Sequence, residues 1–362
     1  MSDSFQDNFD FLRKSGRAAS FGCEVGSYPF FTSSQDRIQR TDIADYEGPA
    51  LVFGTGGGAS VHFVETGFSA SNDCYVAVPK SGSAHDAEFF YRYLRANIHL
   101  IESGFKGAGL KHVSKKHLSE IELPADLRVD RVRVCEVLSK ADAIGQKREQ
   151  QLILADELLR AWFLETFGDP RELTDTELVL DDIASVMRGR FSPRPRNDPQ
   201  FYGGEYPFIQ TSEIANADGY LNEFRQTLNE KGIRVSKCFP RGTVFVAIVG
   251  ATIGATAISD REFYCPDSVI GICSENKEYP SEFIEYLLRF WRPVFVASAP
   301  ETARANINLQ TLKPVPIPRS DNGEAMKFGE LYRKVHLFKA RLKEQDSSLS
   351  KALSQRAFRG LL

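Results

Sequence analysis

Short apolar runs alternate with turn-forming residues over most of this chain, and two long stretches break that pattern. The runs at 50–53, 61–64 and 74–78 are β-branched and aromatic, and glycine, Asn and Asp separate them. Such runs predict strands, while residues 87–97 have helical spacing. From 129 to about 167 the chain has no proline, a single glycine and dense charge of both signs. There Val134, Leu138 and Ala141, and after a gap Leu152, Ala155, Leu159 and Trp162, recur at steps of three and four. That rhythm predicts a long helix with a coiled-coil seam, interrupted where Gly145 and Arg148 occupy the skipped positions. Gly145 in such a seam predicts a local kink or a close helix approach. Gly168, Asp169 and Pro170 then predict its end, since glycine closes a helix and proline cannot continue one. A second stretch near the C-terminus has the same rhythm in Leu331, Val335, Phe338, Leu342, Leu349 and Ala352, with Gln345 at its polar break.

The pattern occurs twice. Tyr28-Pro-Phe-Phe-Thr-Ser-Ser34 returns as Tyr206-Pro-Phe-Ile-Gln-Thr-Ser212, and the apolar–glycine run at 51–59 returns at 244–251. Residues 89–95 pair with 283–289, and 118–124 with 312–318, in the same order. A period this long is a duplicated domain. The predicted organisation is a first domain at 1–124, a central coiled-coil helix at 125–170, a second domain at 171–320 and a C-terminal coiled-coil helix at 321–362. The fold class is α+β: two similar mixed α/β domains separated by a long antiparallel helical coiled coil. Its seam takes Val134, Leu138, Leu152 and Leu159 from one helix, and Leu331, Val335, Phe338, Leu342 and Leu349 from the other. About 38 residues at 1.5 Å each give a rod of roughly 55 Å.

Composition narrows the class. At 42% hydrophobic and 26% charged the chain reads as an ordinary globular protein. No apolar run is long enough to span a membrane and no signal peptide is visible, so a cytoplasmic location is expected. The six cysteines include no CxxC pair and the six histidines no metal-ligand spacing, so reduced, buried thiols and no metal site are expected. The net charge of −3 neither signals nor excludes nucleic acid, because affinity depends on a local basic surface.

The Tyr-Pro-Phe motifs at 28–30 and 206–208, the Ile121-Glu-Leu-Pro124 lead-in, the helix around 141–150, the segment 161–170 ending Phe-Gly-Asp-Pro, and the final run 355–360 carry a resemblance. Together they resemble the DNA-specificity subunit of type I restriction-modification systems over essentially the whole chain. The resemblance implies that each globule is a target-recognition domain reading one half of a split, asymmetric sequence in double-stranded DNA. It implies that the coiled coil sets the unread gap, on the order of 16 base pairs or fewer for such a rod. It also implies two methyltransferase subunits docked along the helices, restriction/translocase subunits as further partners, and no catalytic centre or cofactor of its own.

Individual side chains suit this role. Arg188, Arg190, Arg194 and Arg196 lie in a proline-rich stretch without an acid, and arginines of this kind clamp phosphates or reach guanine edges. Arg17 is the thinner counterpart in the first copy. Thr32, Ser33 and Ser34, matched by Thr211 and Ser212, offer short hydroxyls for phosphates or bases, or equally for turns and helix caps. Lys111 and its neighbours correspond to Arg304 and Asn306. The glycine run at 54–58 lacks the lysine of a nucleotide-binding loop and reads as a tight turn between strands. Two other readings stay open. One is a nuclease with Asp267, Glu275 and Lys277 holding a metal; the other is a scaffold that reads no DNA.

Overall fold

The computed structural model describes residues 3–35, 37–107, 111–123, 130–173, 177–298 and 306–357, and of these all side chains except those of residues 3, 123, 345–352 and 354–357. The chain forms two compact units, one of residues 1–149 with 344–362 and one of residues 150–343. Both boundaries fall inside the two long helices.

The first unit contributes β1 (Phe9–Phe11), β2 (Tyr28–Phe31), β3 (Gln39–Thr41), β4 (Ala50–Gly54), β5 (Ser60–Val64), β6 (Ser69–Ala70) and β7 (Cys74–Pro79). Its helices include α1 (Ala84–Ala96) and the start of α2 (Arg131–Phe167). One sheet has the order β1-β7-β4-β5 and a second the order β3-β2-β6. Within β4 every residue is buried, yet the period of two still sorts them. Leu51 and Phe53 join the cluster containing Phe9, Phe90, Val134 and Leu138, whereas Ala50 and Val52 join Phe31, Phe68 and Val76 on the other face. Both faces are covered, so the run is continuous in sequence instead of alternating. Helix α1 is capped by Ser83, which accepts from the Asp86 backbone N–H. Leu353 packs against the same cluster as Val134 and Leu138.

The second unit contributes β8 (Ala184–Arg188), β9 (Tyr202–Phe208), β10 (Tyr220–Leu221), β11 (Gln226–Leu228), β12 (Lys237–Phe239), β13 (Val244–Ala247), β14 (Thr256–Ser259), β15 (Phe263–Cys265) and β16 (Val269–Ser274). Its helices include the end of α2, α3 (Thr211–Asn216), α4 (Ser281–Ser298) and the first part of α5 (Glu324–Ala357). The sheets run β8-β16-β13-β14-β10 and β11-β9-β15-β12. With β8, β16, β13 and β14 set against β1, β7, β4 and β5, the main order is the same, with β10 added at one edge. The smaller sheets agree as well. Phe30 pairs in parallel with Ser69, and Phe208 in parallel with Tyr264. Among the described residues the duplication is therefore one of topology and register, not of short motifs alone.

Helix α2 runs unbroken for 37 residues through Gly145, so the break in its seam does not break the helix. Gly168 ends it at φ +72°, as its position predicts. In the second unit the end of α2 and the start of α5 are antiparallel: Trp162 and Phe163 meet Phe328, while six residues earlier Asp156 meets Lys339. Leu159 and Phe163 of α2 share one cluster with Phe283 and Leu287 of α4 and with Phe328 and Tyr332 of α5.

The expected seam needs one correction. Val134, Leu138, Leu159, Val335 and Leu342 are buried, and Leu331 packs against the core, whereas Leu152 is half-buried. Phe338 is 43% exposed, and Lys339 at 4% takes the inward place beside Val335. Asp156 and Asp218 stand opposite Lys339 and hold its ammonium there. Leu349 lies outside the described side chains. Among the cysteines Cys74, Cys135 and Cys265 are buried, but Cys23 and Cys238 are exposed; burial pushes the Cys74 thiol up to about 11.

Candidate nucleic-acid interface

In the first unit three stretches far apart in sequence converge. Ser33 Oγ donates to the Asp73 carbonyl at 2.7 Å and accepts from the backbone N–H groups of Thr55 and Gly56 at 3.2 and 3.3 Å. The glycine run is the turn joining β4 and β5, with Gly57 at φ +80°. A Cβ on Gly54 would lie 2.4 Å from Ser60 Oγ and 3.0 Å from the Ser33 Cα, so only glycine lets the 33–35 segment approach so closely. Gln35 Nε2 donates to the Ala59 carbonyl at 2.8 Å. From the third stretch, the Val113 N–H donates to the Thr55 carbonyl at 3.0 Å and His112 Nδ1 lies 3.1 Å from it. Lys111, next in line, is exposed.

The second unit repeats this convergence. Helix α3, which holds Thr211 and Ser212, packs against the turn Gly250–Thr252. Val249 bridges to Asn306, and the Ile307 N–H donates to the Ile248 carbonyl at 3.1 Å. Asn306 is exposed; Arg304 lies outside the described residues. The hydroxyls of Thr32, Ser34 and Ser212 are engaged locally. Ser34 Oγ accepts from the Arg37 N–H at 3.1 Å, Thr32 Oγ1 from the Ser34 N–H at 3.3 Å, and Ser212 Oγ donates to Glu213 at 2.9 Å.

The arginines divide sharply. Arg17 donates to both carboxylate oxygens of Asp45 at 2.5 and 2.7 Å and lies 4.2 Å from the Phe21 ring centre. That hydrogen bonding holds the Asp45 carboxyl below the usual range. Arg17 is thereby committed to its own unit. Arg188, Arg190, Arg194 and Arg196 are all exposed. Phe191, 2% exposed, anchors their loop in a cluster with Phe208 and Leu228, and the Tyr202 hydroxyl donates to the Arg196 carbonyl at 2.6 Å. Three of the arginines meet Asp267. Arg188 Nε donates to its carbonyl at 2.6 Å, Arg194 lies 3.8 Å from its carboxylate, and Arg196 pairs with that carboxylate directly. Gly189 makes this possible, because a Cβ there would sit 2.3 Å from the Pro266 carbonyl.

That cluster removes the nuclease reading. Strand β16, six residues long, runs between Asp267 and Glu275, and at ~3.3 Å per residue it holds them ~20 Å apart. They cannot share an ion. Among the described residues no group of three or more His, Cys, Asp or Glu is placed to hold a metal.

Two arrangements gave no signal in the sequence. Glu285, fully buried, accepts from Thr256 Oγ1 at 2.9 Å, Arg289 Nε at 2.8 Å and the Tyr332 hydroxyl at 2.8 Å. Lys339 donates to Asp156 and Asp218, and Lys343 to Asp218. Desolvation opposes the Asp218 charge, but the hydrogen bonds from Lys343 and Lys339 prevail and bring its pKa to about 2. These lysines, with Tyr220, Arg241 and Arg333, border a cavity of about 720 Å³. Lys339, Lys343 and Arg333 already have carboxylate partners there.

Residues 10–151 match the family model of the type I restriction modification DNA specificity domain. The S subunit of the type I restriction-modification system from M. genitalium shares the fold over 100% of this chain and 96% of its own, at 14% identity and TM-score 0.67. A chain from a structure concerned with complex assembly and conformational transition of the type I R-M system aligns over 98% of both chains, at 14% identity and TM-score 0.50. Among the described residues no helix is long and apolar enough to cross a membrane.

Proposed function

We propose, starting from a chain that carries a type I restriction modification DNA specificity domain over residues 10–151, that both of its units read DNA and that together they recognise a split, asymmetric target. The observation that carries this reading is the repeated convergence. Segments 32–35, 54–58 and 111–113 meet in one unit, and segments 210–212, 249–254 and 306–307 meet in the other, on sheets of the same strand order. Two units of one topology suit the two halves of a duplex site. Their loops differ in sequence, so the halves differ too. The exposed arginines supply phosphate contacts and the converging loops present side chains to base edges.

The chain acts as the non-catalytic specificity subunit, directing two methyltransferase subunits and the restriction/translocase subunits. Ile153, Leu154 and Leu158 on α2 and Leu337 and Phe338 on α5 are 43–55% exposed, and apolar side chains left on a helix surface suit a protein partner. The test is a genome-wide methylation map with and without this chain, its partner subunits unchanged. Loss of adenine marks at a split sequence with a fixed gap is the expected outcome, and exchange of one unit should alter one half alone. Unchanged marks would refute the reading. Charge reversal at Arg188, Arg190 and Arg194 tests the scaffold alternative, since a scaffold would keep its behaviour toward duplex DNA.

A further inference from the structure

Three arginines gathered around a single residue, two at its carboxylate and one at its backbone carbonyl, form an unusual surface. Arg196 pairs with the Asp267 carboxylate, Arg194 lies 3.8 Å from it, and Arg188 donates to the carbonyl of the same residue at 2.6 Å. Each partner is reachable by solvent: the side chains are 59% exposed for Arg194, 48% for Arg196 and 36% for Asp267. The scaffold beneath is not loose. Phe191 is buried, Tyr202 holds the Arg196 carbonyl, and backbone hydrogen bonds from Gly189 to Val269 and from Arg190 to Cys265 fasten the loop to the segment bearing Asp267.

A carboxylate presents two oxygens to a guanidinium fork much as a phosphodiester presents its two non-bridging oxygens. One carboxylate cannot neutralise three guanidinium groups, so the cluster keeps a surplus of positive charge. Exposed ion pairs are weak and exchange readily with other anions. We infer that the Asp267 carboxylate is a built-in stand-in for a DNA phosphate: it holds Arg196, with Arg194 beside it, in the free protein and gives them up when a backbone phosphate arrives. The inference rests on the reading that the second unit binds DNA. Its consequence is a restraint on sequence-independent affinity. Any duplex must compete with Asp267 for the arginines, and the displaced carboxylate stays close to the bound phosphate and repels it. Contacts to bases are then left to decide where the subunit settles.

The experiment compares the full-length wild type, D267N, D267E and the double variant R196Q/D267N for binding to a duplex of arbitrary sequence over a salt series. D267N keeps the shape of the side chain and removes its charge. It should bind about five- to tenfold more tightly at low salt, with a log–log salt slope steeper by about 1, the change expected for one more phosphate neutralised. D267E should follow the wild type, and R196Q/D267N should lose most of the gain. If D267N binds equally or more weakly while the wild type binds well, the stand-in role is overturned and Asp267 is only a structural partner. If D267E binds as tightly as D267N, the charge is not what restrains binding and the inference also fails. Absence of any salt-dependent duplex binding by the wild type would instead refute DNA reading itself, and the inference with it.

Discussion

Lys339 Nζ donates to Asp218 Oδ1 at 3.0 Å, and the lysine side chain is only 6% exposed. The same ammonium donates to Asp156 at 2.8 Å, so one buried cation joins helix α2, helix α5 and the loop that follows α3. Truncating a buried partner strands the charges left behind. Lys339→Ala should cost about 2 kcal/mol in urea unfolding, less than a fully buried pair would, because both aspartates reach solvent. Lys339→Met, which keeps the apolar stem, should cost less than alanine.

His336 titrates in a window open to measurement. Burial, together with the charge of Arg289, lowers its pKa to about 4, against ~6.5 when unfolded. Between these values the unfolded chain binds the extra proton, so stability rises with pH across that interval and falls as pH drops from ~6.5 toward 4. The loss should reach about 2–3 kcal/mol. In His336→Gln the slope of unfolding free energy over this range should flatten; an unchanged slope would assign it to other groups.

Phe163 is fully buried and contacts Phe167, Phe283, Tyr286, Phe290 and Phe328. Phe163→Ala should destabilise the second unit by about 3–5 kcal/mol. Differential scanning calorimetry checks this directly.

Ser33 Oγ accepts from two backbone N–H groups and donates to one carbonyl. Ser33→Ala leaves the Thr55 N–H on the Asp73 carbonyl at 2.8 Å but takes the acceptor from the Gly56 N–H, at about 1–2 kcal/mol. On the proposed reading, methylation dependent on the first half-site should weaken, while the affinity contributed by the arginine loop stays. Salt-dependent binding beside a methylation assay separates the two effects.

Gly189→Val places branched carbons against the Pro266 carbonyl, where even a Cβ would sit at 2.3 Å. The loop must shift away from Asp267. Released from the carboxylate that competes for them, the arginines should bind arbitrary duplex more tightly, in the direction of Asp267→Asn, with far-UV circular dichroism of the folded chain retained. Unaltered affinity would show that the loop's position does not matter.

Much of the architecture was legible beforehand. The long helices, the stop at Gly168 and the order of matched segments follow from periodicities that the backbone imposes over a few residues. The turn at 54–58 was equally readable. The seam was less so: a heptad count put Phe338 inward, but the packed helix chose Lys339 because Asp156 and Asp218 stand opposite it. No spacing rule encodes that.

Arg17 and Arg196 show where the sequence reached its limit. Each is an arginine in a polar loop with no acid beside it in the chain. The fold brings Asp45 onto Arg17 as a two-point partner at 24% exposure, but gathers Arg194 and Arg196 onto the single Asp267 in solvent. The elements, their duplication and the kinds of side chain available depend on neighbours along the chain, and so can be read from it. Which charges are consumed internally and which remain for a ligand was decided only by tertiary structure. Ion pairing depends on distances of a few ångströms between residues that can be 71 positions apart, as Arg196 and Asp267 are.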